Sequence, residues 1–437
     1  DQDALPVMPW LGHDVAELEQ RQAVLVIGSH IRHEQPLLAQ RLRKAALAGA
    51  KISFVNPAVL PQSFAVLENL GVGNDAMVAT LAGILSALAP SGLDASLSAL
   101  IAQAPVDAQQ RAIALSLKKA ERAGVYLGAL ATAHPDLAVL RQLAQAIAQH
   151  SGASLGEFAA AGNSAGAWLA GAVPHRLPAG VSLAAGGMHA AEMLSQPAAA
   201  KMLIGIEPEF DSLHGQTALD ALHQSNFNLV IAPFFTETMR SYAHVVLPMA
   251  SFAETSGTYV NTEGLWQAAR AVARPFAEAR PAWKILRVLG NLLNLDGFEY
   301  MSSEEVRDEL RAECQDIELT SRIAAMNVLP TQAESEAGMQ RLGGAGLYAV
   351  DALVRRSAAL QATAEACAAM SVRLHPQDML RLGLVNAGSA YVSSGKGGVQ
   401  MSVQVDNGIP EGCAWVTAGT QASMALGDAM HIQVKGA

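Results

Sequence analysis

The stretch NFNLVIAPFFTETMRSYAHVVLPMASFAETSGTYVNTEGLWQAARAVARPFAEARPAWKILRVLG, residues 226–290, decides the fold class of this 437-residue chain. Two apolar segments, Asn228–Ala232 and residues 244–248, are typical of buried strands. The polar turn Thr236-Glu237-Thr238 lies between them, and the segment ETSGTYVNTEG follows at residues 254–264. Apolar strands that alternate with helical segments predict an α/β layer.

A strand–helix–strand unit lies near the start of the chain. Ala23–Ile27 is a short apolar strand candidate, Pro36 suits the first turn of a helix, and residues 51–55 form the next strand candidate. A crossover of this kind implies a right-handed parallel pair. With a further strand candidate at residues 125–129, we expect a Rossmann-like α/β domain over residues 1–152.

A second α/β domain is expected over residues 153–300. Its strand candidates are residues 202–206, Asn228–Ala232 and residues 244–247, with helical segments between them. The next segment, residues 301–342, is rich in charged residues and is expected to be a helical connector.

The pattern changes from helical to short β segments near residue 343, so residues 343–437 predict a small β barrel. The segments are separated by Gly and Asn turns, and the loop Ser394-Gly395-Lys396-Gly397-Gly398 fits a hairpin connection. The strand candidates are residues 372–374, 389–393, 400–405 and 414–417.

Composition and charge exclude some classes of function. The net charge is −10 and only 16% of the residues are charged, whereas nucleic-acid binding needs clustered Lys and Arg. The apolar residues 76–93 are interrupted by Thr80, Ser86 and Pro90, so we expect no membrane span. The opening Asp1-Gln2-Asp3 is acidic, so we expect no signal peptide.

The three cysteines, Cys314, Cys367 and Cys413, lie far apart in the sequence. An iron–sulfur cluster usually needs four thiolates, and a zinc site usually shows closely spaced Cys or His ligands. We therefore expect no metal site in these residues. The low, odd cysteine count is typical of a protein in a reducing cytoplasm.

The order of these motifs resembles the molybdopterin oxidoreductase family. In that family a strand, an ET turn and a VVLP strand precede a segment like the one at residues 254–264, and residues 24–57 resemble a strand–helix–strand unit of the family. The resemblance implies an α/β fold with two Rossmann-like parallel-sheet units followed by a C-terminal double-psi β barrel. In catalytic members this barrel closes over a molybdopterin dinucleotide.

Within the family, residues 163–175, 206–211 and 348–356 resemble the G-type subunit of bacterial NADH:quinone oxidoreductase, respiratory complex I. That resemblance implies a longer subunit whose N-terminal part carries 2Fe–2S and 4Fe–4S clusters, while this portion carries no cofactor. It implies that the partners are other peripheral-arm subunits, on the cytoplasmic side of the inner membrane. The chain itself is expected to be soluble.

Three departures from the catalytic relatives bear on cofactor binding. The chain has Gly28-Ser29-His30-Ile31 where those relatives have Gly-Ser-Asn-Pro, and Asn56-Pro57-Ala58 where they have Asp-Pro-Arg. It also has Glu263-Gly264-Leu265 where they have Glu-Gly-Arg. Arginine is a standard partner of phosphate, so the loss of two arginines points away from tight cofactor binding.

The candidate site residues are therefore interpreted as a vestigial pocket without a catalytic residue. Gly28, Ser29 and Asn56 lie at strand C-termini, where open α/β sheets bind ligands, but the departures above favour a retained scaffold turn over a working nucleotide pocket. The carboxylates and small polar residues of the family segment fit loop-anchoring hydrogen bonds better than acid–base catalysis. These additional candidates are Glu237, Thr258, Asn261 and Glu263.

Three hypotheses for the function follow. The leading one is a structural and assembly region of an NADH:quinone oxidoreductase subunit, which alone neither oxidises NADH nor reduces quinone. The alternative is a catalytic molybdopterin oxidoreductase of the formate dehydrogenase or nitrate reductase type. A free-standing nicotinamide enzyme is disfavoured, because no GxGxxG motif follows a strand.

Overall fold

The computed structural model describes residues 5–212, 215–324, 330, 338–395 and 397–436. The predicted fold class is confirmed, since two parallel sheets are followed by a closed six-stranded barrel. Lys396, at the tip of the predicted hairpin loop, lies outside the described residues. In the described part of the chain, none of the helices has both the length and the apolar character that crossing a membrane requires.

The first unit is built on a five-stranded parallel sheet with the strand order β3-β2-β1-β4-β5. Every residue of β1 and β4 is buried, as expected for central strands of a parallel sheet that is covered on both faces. The strands are Ala23–Ile27 (β1), Lys51–Asn56 (β2), Glu68–Gly71 (β3), Ala123–Leu127 (β4) and Ser154–Glu157 (β5).

Helices cover both faces of this sheet because the side chains of β1 alternate between the faces. Leu25 and Ile27 belong to a core with α3, α5 and α7, whereas Val24 and Val26 pack with α2. The helices are Ile31–Glu34 (α1), Pro36–Leu47 (α2), Asn74–Ala87 (α3), Ala95–Gln103 (α4), Ala108–Lys119 (α5), Ala129–Thr132 (α6) and Leu137–Ser151 (α7).

The second unit contains a three-stranded parallel sheet in the order β6-β7-β8, formed by Lys201–Ile204 (β6), Asn228–Ala232 (β7) and Val245–Pro248 (β8). One face of this sheet packs on Leu219, Leu222, Met239 and Tyr242. The helices of this unit are Ser164–Leu169 (α8), Ala190–Ser195 (α9), Pro208–Asp211 (α10), Gly215–His223 (α11) and Glu237–Tyr242 (α12).

The family segment forms an antiparallel hairpin, Gly257–Val260 (β9) and Trp266–Ala269 (β10), and two helices follow, Ala282–Leu292 (α13) and Ser303–Glu313 (α14). Among the described residues of the predicted helical connector, only α14 near its start is helical. Further along, the Gln145 side chain binds the backbone N–H and C=O of Ile323, at 2.7 and 3.1 Å, so this part of the chain lies along the first unit. Residues 325–329 and 331–337 lie outside the described residues.

The barrel has the strand order β11-β15-β12-β14-β13-β16 and encloses an apolar core that includes Val372, Leu374 and Val416. Its strands are Met339–Leu342 (β11), Ser371–Leu374 (β12), Ser389–Ser393 (β13), Gly398–Val405 (β14), Cys413–Val416 (β15) and His431–Gly436 (β16). Its helices are Ala352–Arg355 (α15), Ala358–Gln361 (α16), Ala364–Ala369 (α17), Pro376–Arg381 (α18) and Gln421–Leu426 (α19).

Two of the predicted domain boundaries leave out a strand that belongs to the domain. The predicted first domain ends at residue 152, but β5 completes its sheet beyond that point. The predicted barrel begins at residue 343, but β11 is already one of its strands. Both strands have only four residues and include polar side chains, so they lack the apolar run by which longer strands are predicted.

Candidate functional site

The barrel packs against the carboxyl-terminal edge of the first sheet. The Val59 N–H donates a hydrogen bond to the Gly408 carbonyl at 2.7 Å, and the Asn74 N–H donates to Gln340 Oε1 at 2.8 Å. A buried apolar cluster joins the two parts and includes Leu130 from α6. Because open α/β sheets bind ligands at this edge, the region between the sheet and the barrel is the candidate site.

The structure brings three of the predicted site residues together in the turn after β1. Gly28 has a φ of +60°, and a Cβ atom there would lie 2.4 Å from the Ala131 nitrogen, so the turn requires glycine. The Ser29 N–H donates to Asn56 Oδ1 at 2.8 Å, and Asn56 Nδ2 donates to the Ser29 carbonyl at 3.2 Å. Asn56 therefore clamps the turn from the end of β2.

The carboxylate of Glu34 accepts the remaining hydrogen bonds of this turn. It accepts from Ser29 Oγ at 2.7 Å, from the His30 N–H at 2.8 Å and from the Ala129 N–H at 3.3 Å. Backbone N–H groups that follow a parallel strand are the donors by which such turns bind phosphate. Here those of Ser29, His30 and Ala129 are all used by side chains of the protein itself.

Sequence reasoning missed Glu34, although it lies only five residues beyond Ser29. Burial raises the pKa of the Glu34 carboxyl, and the hydrogen bonds from Ser29, His30 and Ala129 oppose that effect. The carboxyl is thus a buried acceptor that three donors hold in place. Any second anion at this turn would have to displace it or lie beside it.

Two histidines lie close to the Gly28 turn: His30, which directly precedes α1, and His33, which lies within α1. The rings of His30 and His33 contact each other at an interplanar angle of 32°, with centroids 3.7 Å apart. Burial, followed by the nearby His33, Arg373 and Arg32, lowers the pKa of His30 to about 3. Burial is also the main reason why the pKa of His33 is lowered. We therefore expect His30 to be neutral at neutral pH.

The second part of the site is an ion-pair network between the barrel and the second unit. Arg355 contacts Glu207 at 3.0 Å and Asp211 at 2.8 Å, and Arg356 contacts Glu207 at 2.6 Å. The Arg355 guanidinium also lies 5.2 Å from the ring centroid of Phe210. Both arginines therefore bind carboxylates of the second unit, which joins the barrel to that unit.

A cavity of about 420 Å³ adjoins this network. Its lining includes Tyr348 and Gln361 from the barrel side and Glu207 from the second unit. The cavity is large enough for a small ligand, but its two arginines are already paired with carboxylates of the protein.

The other predicted residues hold the hairpin or lie at the surface. Asn261 Oδ1 accepts from the Glu263 N–H at 3.1 Å, and Glu263 itself accepts from the Val15 N–H. Thr258 is a half-buried residue of β9. The Glu237 side chain is 88% exposed and pairs with Arg240 at 3.2 Å. None of the contacts described for these four residues is with the Gly28 turn, and the Asn261 and Glu263 contacts are loop-anchoring hydrogen bonds.

The described residues contain no group of three or more His, Cys, Asp or Glu side chains that is arranged to hold a metal ion. The three cysteines are unpaired. Cys413 is buried between the barrel and the first unit, and this burial raises the pKa of its thiol to about 11.

Residues 7–292 match the family model described as molybdopterin oxidoreductase. The chain belongs to the molybdopterin oxidoreductase family. Its structure is similar to acetylene hydratase from Pelobacter acetylenicus, with a TM-score of 0.62 and 14% identity. This similarity, which covers 95% of the present chain and 76% of that chain, supports the fold alone.

Curated relatives match over shorter segments. The chain is 54% identical over 54 residues to the mitochondrial 78 kDa subunit of NADH-ubiquinone oxidoreductase from Candida albicans. It is 38% identical over 102 residues to the alpha subunit of a formate dehydrogenase from Methanocaldococcus jannaschii. These matches cover 12% and 23% of the present chain, and they span only 8% and 15% of the two relatives.

The lowered pKa of His30 predicts a pH dependence of stability. The ordinary pKa is 6.5 and the folded value is about 3, so between these values the unfolded chain binds a proton that the folded chain does not. Stability therefore falls as the pH falls through this window, by at most about 1.4 kcal/mol per pH unit. His30→Asn should reduce this slope in unfolding experiments from pH 7 to pH 4. His189→Asn, at a half-exposed histidine, is the control; equal slopes in wild type and His30→Asn would contradict the prediction.

The ion-pair network predicts that Arg355→Ala is destabilising. It removes a guanidinium that is only 11% exposed from the buried Glu207, so we expect a loss of about 3 kcal/mol in unfolding free energy. Arg240→Ala breaks an exposed pair and should cost less than about 1 kcal/mol. Hydrogen exchange of the barrel amides measures both changes. Equal, small effects would show that the network does not hold the barrel.

Proposed function

We propose that this chain is a structural region of a subunit of NADH:quinone oxidoreductase, with the molybdopterin oxidoreductase fold but without its cofactor. In this proposal it supports a cluster-bearing N-terminal part and contacts other peripheral-arm subunits on the cytoplasmic side of the inner membrane. The observation that carries the proposal is the Glu34 carboxylate in the turn after β1.

The residues of the turn do not fit an anionic dinucleotide. A phosphate beside an ionised Glu34 would place two negative charges about 4 Å apart, which costs about 4 kcal/mol at the effective dielectric constant of a protein surface. That energy corresponds to about a thousandfold weaker binding. The hydrogen-bond donors that would offset the repulsion are already used by Glu34 and Asn56.

The arginines at the second part of the site do not fit an anionic dinucleotide either. Arg355 and Arg356 are the guanidinium groups that line the cavity, and both pair with Glu207. To bind a phosphate they would have to leave a carboxylate that is 3% exposed without a partner, which is costly. A structural role needs these ion pairs, whereas cofactor binding needs them broken.

The relatives support two contexts for such a region. The match to the 78 kDa subunit of NADH-ubiquinone oxidoreductase has the higher identity, 54%, and the match to the formate dehydrogenase subunit is longer, at 102 residues. Formate dehydrogenase chemistry in this family would need the pterin group that the Glu34 turn disfavours. We therefore prefer the NADH:quinone oxidoreductase context and keep the catalytic molybdopterin enzyme as the alternative.

The test is the cofactor content and activity of the natural subunit and of residues 1–437 alone. We expect no molybdenum or pterin in either, and no NADH:ferricyanide turnover by residues 1–437. Peripheral arms that lack these residues should assemble poorly, because in this proposal they support the N-terminal part and contact the other subunits. Stoichiometric molybdenum with formate oxidation would instead establish the catalytic alternative. Normal assembly with slow electron transfer would also contradict the proposal.

A further inference from the structure

Tyr126 and His13 form a short hydrogen bond beside the first sheet. Tyr126 lies on β4 and is fully buried, and its ring stacks on Phe158 with the centroids 5.0 Å apart. Its hydroxyl oxygen lies 2.6 Å from His13 Nε2. The pair therefore links a central strand of the sheet to the segment that precedes β1.

The backbone around the Tyr126 ring leaves room for the phenol. A Cβ atom at Gly124 would lie 2.4 Å from the Tyr126 hydroxyl oxygen, and one at Gly156 would lie 3.0 Å from the ring atom Cδ1. The two glycines belong to the neighbouring strands β4 and β5. A larger residue at position 124 would push the hydroxyl out of its place beside His13.

The direction of this hydrogen bond follows from the other ring nitrogen of His13. His13 Nδ1 lies 2.7 Å from the Asp14 carbonyl oxygen, which can only accept, so Nδ1 carries the ring proton. Burial is the main reason why the pKa of His13 is lowered, so the imidazole is neutral at neutral pH. Nε2 therefore offers its lone pair, and the Tyr126 hydroxyl donates to it.

A phenol with a base at this distance is suited to lose an electron and a proton together. Burial is the main reason why the pKa of Tyr126 is raised, so Tyr126 keeps its proton at neutral pH. Removing an electron from a phenol makes its O–H group a strong acid. Because Tyr126 is closed off from water, His13 Nε2 is the base that is in place to take the proton.

Tryptophan, the other easily oxidised side chain, is concentrated near this pair. Three of the five tryptophans of the chain pack against one apolar cluster that includes Met8. Trp10 and Gly156 also line one small cavity of about 30 Å³. Electrons tunnel through packed protein, so an oxidant at the surface can draw an electron from Tyr126 without touching it. The three tryptophans, which are partly exposed, are Trp10, Trp168 and Trp266.

We propose that Tyr126 and His13 are a redox-active pair that quenches strong one-electron oxidants of the oxygen-radical class. The oxidant takes one electron from the phenol, the O–H bond of Tyr126 breaks, and the proton forms an N–H bond at His13 Nε2. The products are a neutral tyrosyl radical, an imidazolium and the reduced oxidant. A one-electron reductant of the thiolate class then returns an electron, and the proton moves back from Nε2 to the phenol oxygen.

Burial gives this radical a long lifetime. The Tyr126 ring is covered by Phe158 and by the two strands, so it cannot meet a second phenol and couple to it. A tyrosyl radical at the surface lacks that protection. The pair lies wholly within residues 1–437, so the inference stands or falls independently of the proposed function.

Flash oxidation of residues 1–437 with a ruthenium(III) polypyridyl complex tests the proposal. Transient absorption and electron paramagnetic resonance should detect a long-lived tyrosyl radical in the wild type, and Tyr126→Phe should lose it. Tyr391→Phe, at a tyrosine that is 47% exposed, is the matched control and should keep it. A wild type without a long-lived tyrosyl radical, or an unchanged radical in Tyr126→Phe, would overturn the proposal.

His13→Ala tests the proton acceptor. Loss of a positioned base should slow formation of the Tyr126 radical about a hundredfold, and imidazole added to the buffer should restore the rate. An unchanged rate in folded His13→Ala would show that the hydrogen bond is only structural. If this variant does not fold, the wild type still decides. The radical should form more slowly in D2O and at an acid pH that protonates His13, and a rate that is independent of both would overturn the proposal.

Discussion

The structure depends on the Glu34 carboxylate, which accepts hydrogen bonds from the donors that would otherwise be free to bind a phosphate. Glu34 accepts hydrogen bonds from Ser29, His30 and Ala129, and in this way it joins the ends of β1 and β4. Burial disfavours the charged form of this carboxyl and raises its pKa, and the hydrogen bonds from the three donors oppose that effect. The same contacts that stabilise the turn also remove the donors that a phosphate would need.

In the rest of the candidate site the polar groups also bind other parts of the protein. Asn56 clamps the turn, Arg355 joins the barrel to the second unit, and Asn261 holds the loop between β9 and β10. His30 is kept neutral by burial and by its cationic neighbours. At this site, ion pairs and hydrogen bonds within the chain engage the side chains of Asn56, Arg355 and Asn261.

The sequence predicted the parts of this structure that depend on long apolar runs. The strands at Ala23–Ile27 and Asn228–Ala232 are buried runs and were predicted, whereas β5 and β11 are short, partly polar strands and were missed. Gly28 was predicted from its place after a strand. The role of Glu34 could not be predicted, because its carboxylate reaches the turn only when α1 folds back onto it. Family position alone suggested Glu237, which the structure places at the surface.

The most direct test of this account is a calorimetric titration of inorganic pyrophosphate into residues 1–437 and into Glu34→Ala. Removing the carboxylate leaves the His30 and Ala129 N–H groups without their acceptor, so the variant should bind pyrophosphate at least about tenfold more tightly. Glu237→Ala removes an exposed carboxylate and should behave as wild type. Tight binding by the wild type, or no gain in a folded Glu34→Ala variant, would contradict the claim that Glu34 fills an anion site.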